Sequence, residues 1–452
     1  MFPQANLLST ILLAACYVRL ASAAVAQVFA PPSAGPLVQT ANYTSFSNNT
    51  LRDTKIVKGK AFDRIIQVWL ENTDFATAAS TPVFEELAKQ GLLFTNFNAL
   101  THTSEPNYVA AIGGDIWGMF NDNMYHVPSN ITTVIDLLEE RGVSWATYQE
   151  NMPTDGFYGF TFTAPDYATP SEAPYTYYWR KHNGLLIYDA ITQDPKRNAR
   201  IRTLNDFAND VVNGTIPQWI FVTPNIVRLL PPVRMVDAVA KVNDAHDTTI
   251  EFAAQWLQYW LIPLLSDKRV NSENTLILLT FDENETTSEQ NQIFSLALGN
   301  AVPSHLKGKT DDTMYTHYST ISTVEANWEL MSLGRQDTNA TVSNVFSFVA
   351  EKTGYRNVHV PADKVPMFNL SGSTPGPLNS NLFVPFSAPN LAARGAGGRG
   401  VLTRPGLDAR LTPSRLPRPV NLTGMNKTTP WQMSPETTSV ERIIPCDGAA
   451  CA

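Results

Sequence analysis

Six short runs of β-branched, aromatic and aliphatic residues recur through residues 62–350, at 65–70, 92–97, 143–148, 219–223, 275–281 and 293–298. Several lack the polar alternation of a strand with one wet face, so the spacing predicts strands buried on both faces. Between them lie segments of helical periodicity at 82–90, 134–141, 204–212, 248–265 and 319–333. Strand, helix and strand in repeated alternation predict an α/β fold, a mostly parallel sheet with helices on both faces.

The chain of 452 residues is long enough for one large α/β domain, and with 43% hydrophobic and 16% charged residues it can build a sizeable core. We read residues 1–26 as a signal peptide, 27–60 as an N-terminal extension, 61–387 as the catalytic domain and 388–452 as a Pro/Gly-rich basic tail expected to be poorly ordered. The signal reading rests on the apolar run 7–18, too short to span a bilayer, followed by the small-x-small patterns Ala21-Ser22-Ala23 and Ala24-Val25-Ala26.

Nine Asn-x-Ser/Thr sequons, with acceptors Asn42, Asn48, Asn130, Asn213, Asn284, Asn339, Asn369, Asn421 and Asn426, suit a secreted protein carrying N-linked glycans. Beyond Cys16 in the leader, only Cys446 and Cys451 remain, a pair able to close a small terminal loop in an oxidising compartment. With no transmembrane segment expected, the protein is placed outside the cell or in the cell wall. A net charge of −8 is the wrong sign for holding nucleic acid, and an anionic substrate would need a local positive centre.

In an open parallel sheet the chemistry gathers just beyond the C-terminal ends of the strands. Four such places carry reactive groups. Glu71-Asn72 follows the first run, two oxygen donors suited to a hard cation or simply to a turn. Thr101-His102-Thr103-Ser104-Glu105-Pro106 sets a hydroxyl at a helix start, where Ser104 is either an N-cap or a nucleophile whose phosphoryl target would meet free N–H groups. Asp282-Glu283 ends the run 275–281, a carboxylate pair that is either solvated or paired with a cation. His246-Asp247 and His317 each precede a helical segment and, singly, read as caps or surface residues.

Taken together they compose a plausible metal-assisted phosphoryl-transfer site. Zinc-type Cys/His spacing, a P-loop, a G-x-S-x-G elbow and a dinucleotide glycine fingerprint are all absent.

The spaced set Leu70-Glu-Asn-Thr-Asp-Phe75, Thr103-Ser-Glu-Pro-Asn-Tyr108 with Gly113-Gly-Asp115, Thr223-Pro-Asn225, Asn243-Asp-Ala-His-Asp247, Phe281-Asp-Glu283 and His317-Tyr-Ser319 resembles the secreted fungal acid phosphatases. Those belong to the phosphoesterase family shared with bacterial phospholipases C, within the alkaline-phosphatase-like superfamily. The resemblance covers about residues 60–390 and implies an alkaline-phosphatase-like fold.

It implies Ser104 as phosphoryl-accepting nucleophile, and Glu71, Asn72, Asp282 and Glu283 as ligands of one divalent metal ion. His246 and His317 would bind phosphoryl oxygens or protonate the leaving alcohol, with Asp247 and His102 nearby. Oxygen ligands need no deprotonated imidazole, so such a metal stays bound below pH 6 while the histidines are charged. The chain departs from the pattern at 226–242, where intervening residues are either a loop bordering the site or retained intron sequence.

The implied activity is phosphate-monoester hydrolysis at acid pH on small substrates. Two alternatives stand beside it: a phospholipase C-type phosphodiesterase, and a catalytically silent cell-wall glycoprotein. Oligomeric state is not legible.

Overall fold

The computed structural model describes residues 51–403 except 165–174, 225–249 and positions 52, 54, 273, 366, 367, 369–371 and 373. The leader, the segment 226–242, His246, Asp247 and the tail beyond 403 lie outside the described residues.

The sheet is built from β1 (Arg64–Leu70), β2 (Leu92–Phe94), β3 (Trp145–Gln149), β4 (Ile201–Thr203), β5 (Trp219–Thr223), β6 (Thr275–Phe281), β7 (Ser295–Leu298) and β8 (Lys309–Asp311). Its eight strands are ordered β8-β2-β7-β6-β1-β5-β3-β4. Every neighbouring pair is parallel except those of β7, which runs antiparallel to both β2 and β6. The fold is therefore α/β with a mostly parallel sheet.

All residues of β1 and β6 are buried, as their unbroken apolar pattern requires. Successive side chains point to opposite faces, so ring contacts identify what covers each. On one face Trp69 packs against Tyr108 of the helix Ser104–Gly113 and against His317 of the helix His317–Trp328. On the other, Phe281 stacks on Phe84 of the helix Pro82–Ala88, and Tyr148 meets Phe207 of the helix Leu204–Asn213. Helices thus cover both faces.

Three of the elements that differ from expectation have an identifiable cause. The run 92–97 is broken: Phe97–Asn98 leaves the sheet to pair with Tyr315–Thr316, which seats His317 at the start of its helix. The helix expected at 248–265 carries a π-turn at Leu257–Leu261 before Ile262–Ser266, where Pro263 has no N–H for an i→i−4 bond. The third, β4, was not anticipated because its central residue is Arg202, which is fully buried.

The packed unit also extends past residue 387. In the glycine-rich run, Ala396 N–H donates to Glu325 Oε2 at 3.0 Å, and Leu402 N–H donates to Ser332 O at 2.8 Å. Glycine is required here, since a Cβ on Gly395 would collide with Glu325 and Ser332 and one on Gly397 with Leu330 O.

Glu325 is wholly buried and hydrogen-bonded to Asp337, which also accepts the N–H groups of Leu333 and Arg335. Burial, reinforced by the Asp337 charge, holds the Glu325 carboxyl well above its usual value of about 4.5. The folded state therefore binds this proton more tightly than the unfolded chain. The stability it confers is complete below about pH 4.3 and declines as pH rises toward the folded value. Glu325→Gln, which keeps both hydrogen bonds without the ionisation, should raise the thermal midpoint at pH 8 by roughly 2–4 °C and leave it little changed at pH 4. Identical midpoints at pH 8 would show that the proton is held elsewhere.

Candidate active site

Leu70 and Phe281 are register partners in adjacent parallel strands, so Glu71-Asn72 and Asp282-Glu283 emerge side by side at one sheet edge. Asp282 N–H donates to Leu70 O at 3.0 Å, prolonging the ladder by one bond. Asn72 then turns the chain with a φ of 37°, in the left-handed region that asparagine tolerates.

Asp74 ties the two ends together by accepting from Asn284 Nδ2 at 3.2 Å, Glu285 N at 3.0 Å, Thr286 N at 2.8 Å and Thr286 Oγ1 at 2.6 Å. Asn284 is consequently buried, whereas Asn213 and Asn339 are exposed. Peptide mapping of protein secreted from a eukaryotic host should find Asn284 bare. A glycan there would mean that this turn opens before or during folding.

Ser104 is the first residue of the helix Ser104–Gly113 and is buried. Its Oγ donates to Glu283 Oε1 at 3.2 Å. Asn107 latches the preceding loop to the helix, accepting from Leu100 N at 3.0 Å and donating to Thr101 O at 2.8 Å. The helix start offers fewer N–H groups than expected. Glu105 N–H is already given to Asp122 Oδ1 at 3.0 Å, and Pro106 has none.

Burial pushes the carboxyls of both Asp282 and Glu283 up, and the Asp282 charge adds to the rise at Glu283. Two such groups in contact hold full charge only with a positive partner. Asn72 Oδ1 and Asp282 Oδ2 are buried acceptors without a hydrogen-bond donor, which suits oxygen ligation of a hard cation. One oxygen of Glu71 has other partners: Oε1 accepts from Tyr108 OH at 3.0 Å and lies 2.8 Å from His182 Nε2. Among the described residues no three His, Cys, Asp or Glu side chains converge as a metal cluster; the oxygen donors gathered at this strand end are those of Asn72, Asp282 and Glu283, with Glu71 adjoining them.

The histidines divide. His102 Nε2 lies 2.8 Å from Asn284 Oδ1. Because Asn284 Nδ2 donates to Thr286 O at 2.9 Å, the His102 bond is an Nε2–H donation, leaving Nδ1 without a partner. His317, which the resemblance assigns to the phosphoryl oxygens or the leaving alcohol, has one ring nitrogen committed and its buried Nδ1 without a hydrogen-bond partner. It is fully buried, stacked on Trp69 at 4.4 Å between centroids, with Nε2–H donating to Asp282 O at 2.7 Å. Burial lowers it to about 4, so it is neutral at pH 5, where the sequence reading has it cationic. Its place is beneath the site, bracing the carboxylate loop.

Sequence reasoning missed the segment Arg180-Lys181-His182. Arg180 and His182 are buried beside Glu105 and Glu71, at 3.7 Å and 2.8 Å, and burial together with the Lys181 charge keeps His182 well below its ordinary value. The available signal was a run of three basic-type residues in a chain that needs a local positive centre.

A hydroxyl bonded to a carboxylate, with a second carboxylate, an amide and a histidine adjoining at the C-terminal edge of a parallel sheet, is the grouping of side chains that a phosphoester hydrolase requires. The phosphoesterase family pattern matches residues 61–331. An acid phosphatase of Aspergillus fumigatus is 44% identical over 350 residues, covering 76% of this chain and 72% of that protein. A phosphate-repressible acid phosphatase of Penicillium chrysogenum is 41% identical, covering 76% and 77%. The Mycobacterium tuberculosis phosphatidylinositol-3-phosphatase is 26% identical over 56% of this chain and 72% of its own length.

Among solved structures, an alkaline phosphatase superfamily protein from Vibrio parahaemolyticus aligns with a TM-score of 0.37 at 13% identity, covering 62% of this chain and 70% of that one. The chain belongs to the phosphoesterase family and is a phosphoric monoester hydrolase. No helix among the described residues is long and apolar enough to cross a membrane.

Proposed function

We propose that this is a secreted acid phosphatase in which Ser104 accepts the phosphoryl group of a small phosphate monoester and water then releases it as inorganic phosphate. The observation that carries the reading is the 3.2 Å bond from Ser104 Oγ to Glu283 Oε1 beside the buried Asp282. In the first step the serine oxygen forms the new P–O bond, its proton passes toward Glu283, and the ester P–O bond breaks. In the second, water attacks the phosphorus of the phosphoserine, the Oγ–P bond breaks as Glu283 returns its proton to Ser104 Oγ, and the water's proton passes to the group that protonated the leaving oxygen.

Asn72, Asp282 and Glu283 are the residues that would hold a divalent cation, which when bound supplies positive charge to the phosphoryl oxygens. His102, with Nε2–H committed to Asn284, keeps Nδ1 for a proton destined for the leaving oxygen. The family resemblance assigns His246 either to the phosphoryl oxygens or to protonation of the leaving alcohol, with Asp247 nearby. The sequons and leader-like N-terminus support secretion to the cell exterior or wall.

A phosphate monoester has its second pKa near ~6 and a free histidine near ~6.5, so both trends favour turnover in acid. Phosphate release from an aryl monoester should follow a bell with its maximum at about pH 4–6.5. A bis-aryl phosphate and phosphatidylcholine should be poor substrates. An optimum above about pH 8 would overturn the acid-histidine mechanism. Preference for either diester would favour the phosphodiesterase reading.

A further inference from the structure

A monoester brings up to two negative charges to a site that already holds Glu71, Glu105, Asp282 and Glu283, in a chain of net charge −8. The nucleophile's helix offsets little of this, because the Glu105 N–H is given to Asp122 and Pro106 lacks one. Arg180 is withdrawn from solvent: its side chain is 1% exposed, its Nη2 donates to Tyr125 O at 2.8 Å and Leu186 O at 2.9 Å, and its Nη1 lies 3.7 Å from Glu105 Oε1.

Lys181 differs from its neighbours. Its side chain is 13% exposed, and its Nζ lies 3.3 Å from Asp122 Oδ2. The other oxygen of that same carboxylate caps Glu105, the residue after Ser104. The next residue along, His182, reaches Glu71 at the end of β1. The segment therefore runs from the nucleophile's helix start to the end of the central strand, and Lys181 is its solvent-reaching member. Its charge is felt by Asp282, Glu283 and Glu105.

We propose that Lys181 is the phosphoryl-binding side-chain cation of this site, acting beside any divalent ion held by the carboxylate pair, and that it selects phosphate monoesters over diesters. A monoester presents three terminal oxygens and a diester two. An ammonium fixed by Asp122 can receive the third oxygen, and in a diester that position carries an ester oxygen and its substituent, with no charge to pair. The inference rests on the phosphomonoesterase reading, and the two can fail separately.

The test compares purified wild type with Lys181→Met and Lys181→Arg on an aryl phosphate monoester and a bis-aryl phosphate. It also measures inhibition by inorganic phosphate and by a dialkyl phosphate. Lys181→Met should lower kcat/KM for the monoester by about 30- to 100-fold and for the diester by less than about threefold, with Lys181→Arg recovering part of the loss. Wild type should bind inorganic phosphate at least about tenfold more tightly than the dialkyl phosphate, a comparison that needs no variant.

Equal losses on both substrates, a monoester loss under about threefold, or equal inhibition by the two phosphates would each overturn the role of Lys181. A wild-type enzyme that releases no phosphate from the monoester would instead overturn the reading beneath it.

Discussion

Ser104→Ala is expected to lower kcat/KM for an aryl phosphate by about 10⁴-fold or more, equivalent to roughly 5.5 kcal/mol of transition-state stabilisation. The structure separates this loss from a loss of folding. Ser104 spends its hydroxyl on Glu283, while the helix start is held independently by Asp122 on Glu105 N–H and by Asn107 on the preceding loop. Glu283 keeps a contact to Asn107 Nδ2 at 3.5 Å when the serine oxygen is gone. Secretion yield and thermal midpoint should therefore stay close to wild type. The nearest alternative hydroxyl is Thr103, whose buried Oγ1 has no hydrogen-bond partner. A variant retaining a tenth of wild-type activity would move the nucleophile to Thr103 or to water.

The second large effect concerns the carboxylate pair. Asp282→Asn and Glu283→Gln should each reduce bound divalent metal to below about 0.1 per chain and cost about 10³-fold in rate, since each removes an anionic oxygen donor while preserving shape. Elemental analysis of the purified variants measures this directly. Stability gives an independent reading with the opposite sign. In metal-free protein burial raises both carboxyls, and the Asp282 charge adds to the rise at Glu283. Neutralising either one should then raise the midpoint of the chelated protein by a few degrees, roughly 2–4 °C per kcal/mol relieved. Unchanged metal content in both variants would remove them from the ligand set.

The strands that frame the site were legible because a strand buried on both faces has to be apolar throughout. β5 and β6 match the sequence reading residue for residue, and β1 differs from it only by beginning at Arg64. β4 was invisible for the converse reason. Its Arg202 is buried among Asp206 at 3.3 Å, Asp210 at 3.2 Å and Asp155 at 3.9 Å, and a charge pattern of that kind has no local signature. The tail shows the same limit. Gly395-Ala-Gly-Gly reads as linker, yet its lack of side chains is what lets it lie against Glu325 and Leu330.

By itself the sequence determined where reactive groups would gather, because hydrophobic periodicity is local and each strand's end is read directly from it. That was enough to put Glu71-Asn72 and Asp282-Glu283 at strand ends and Ser104 at a helix start, and the register of β1 with β6 then set the two pairs side by side. Only the tertiary structure decided what each side chain faces. It turned Glu71 to Tyr108 and His182, drew His317 under the sheet edge against Trp69, and set Lys181 on Asp122. Buried ionisable groups take their partners from segments far apart in the chain, and the strength of each pairing depends on the burial that packing creates.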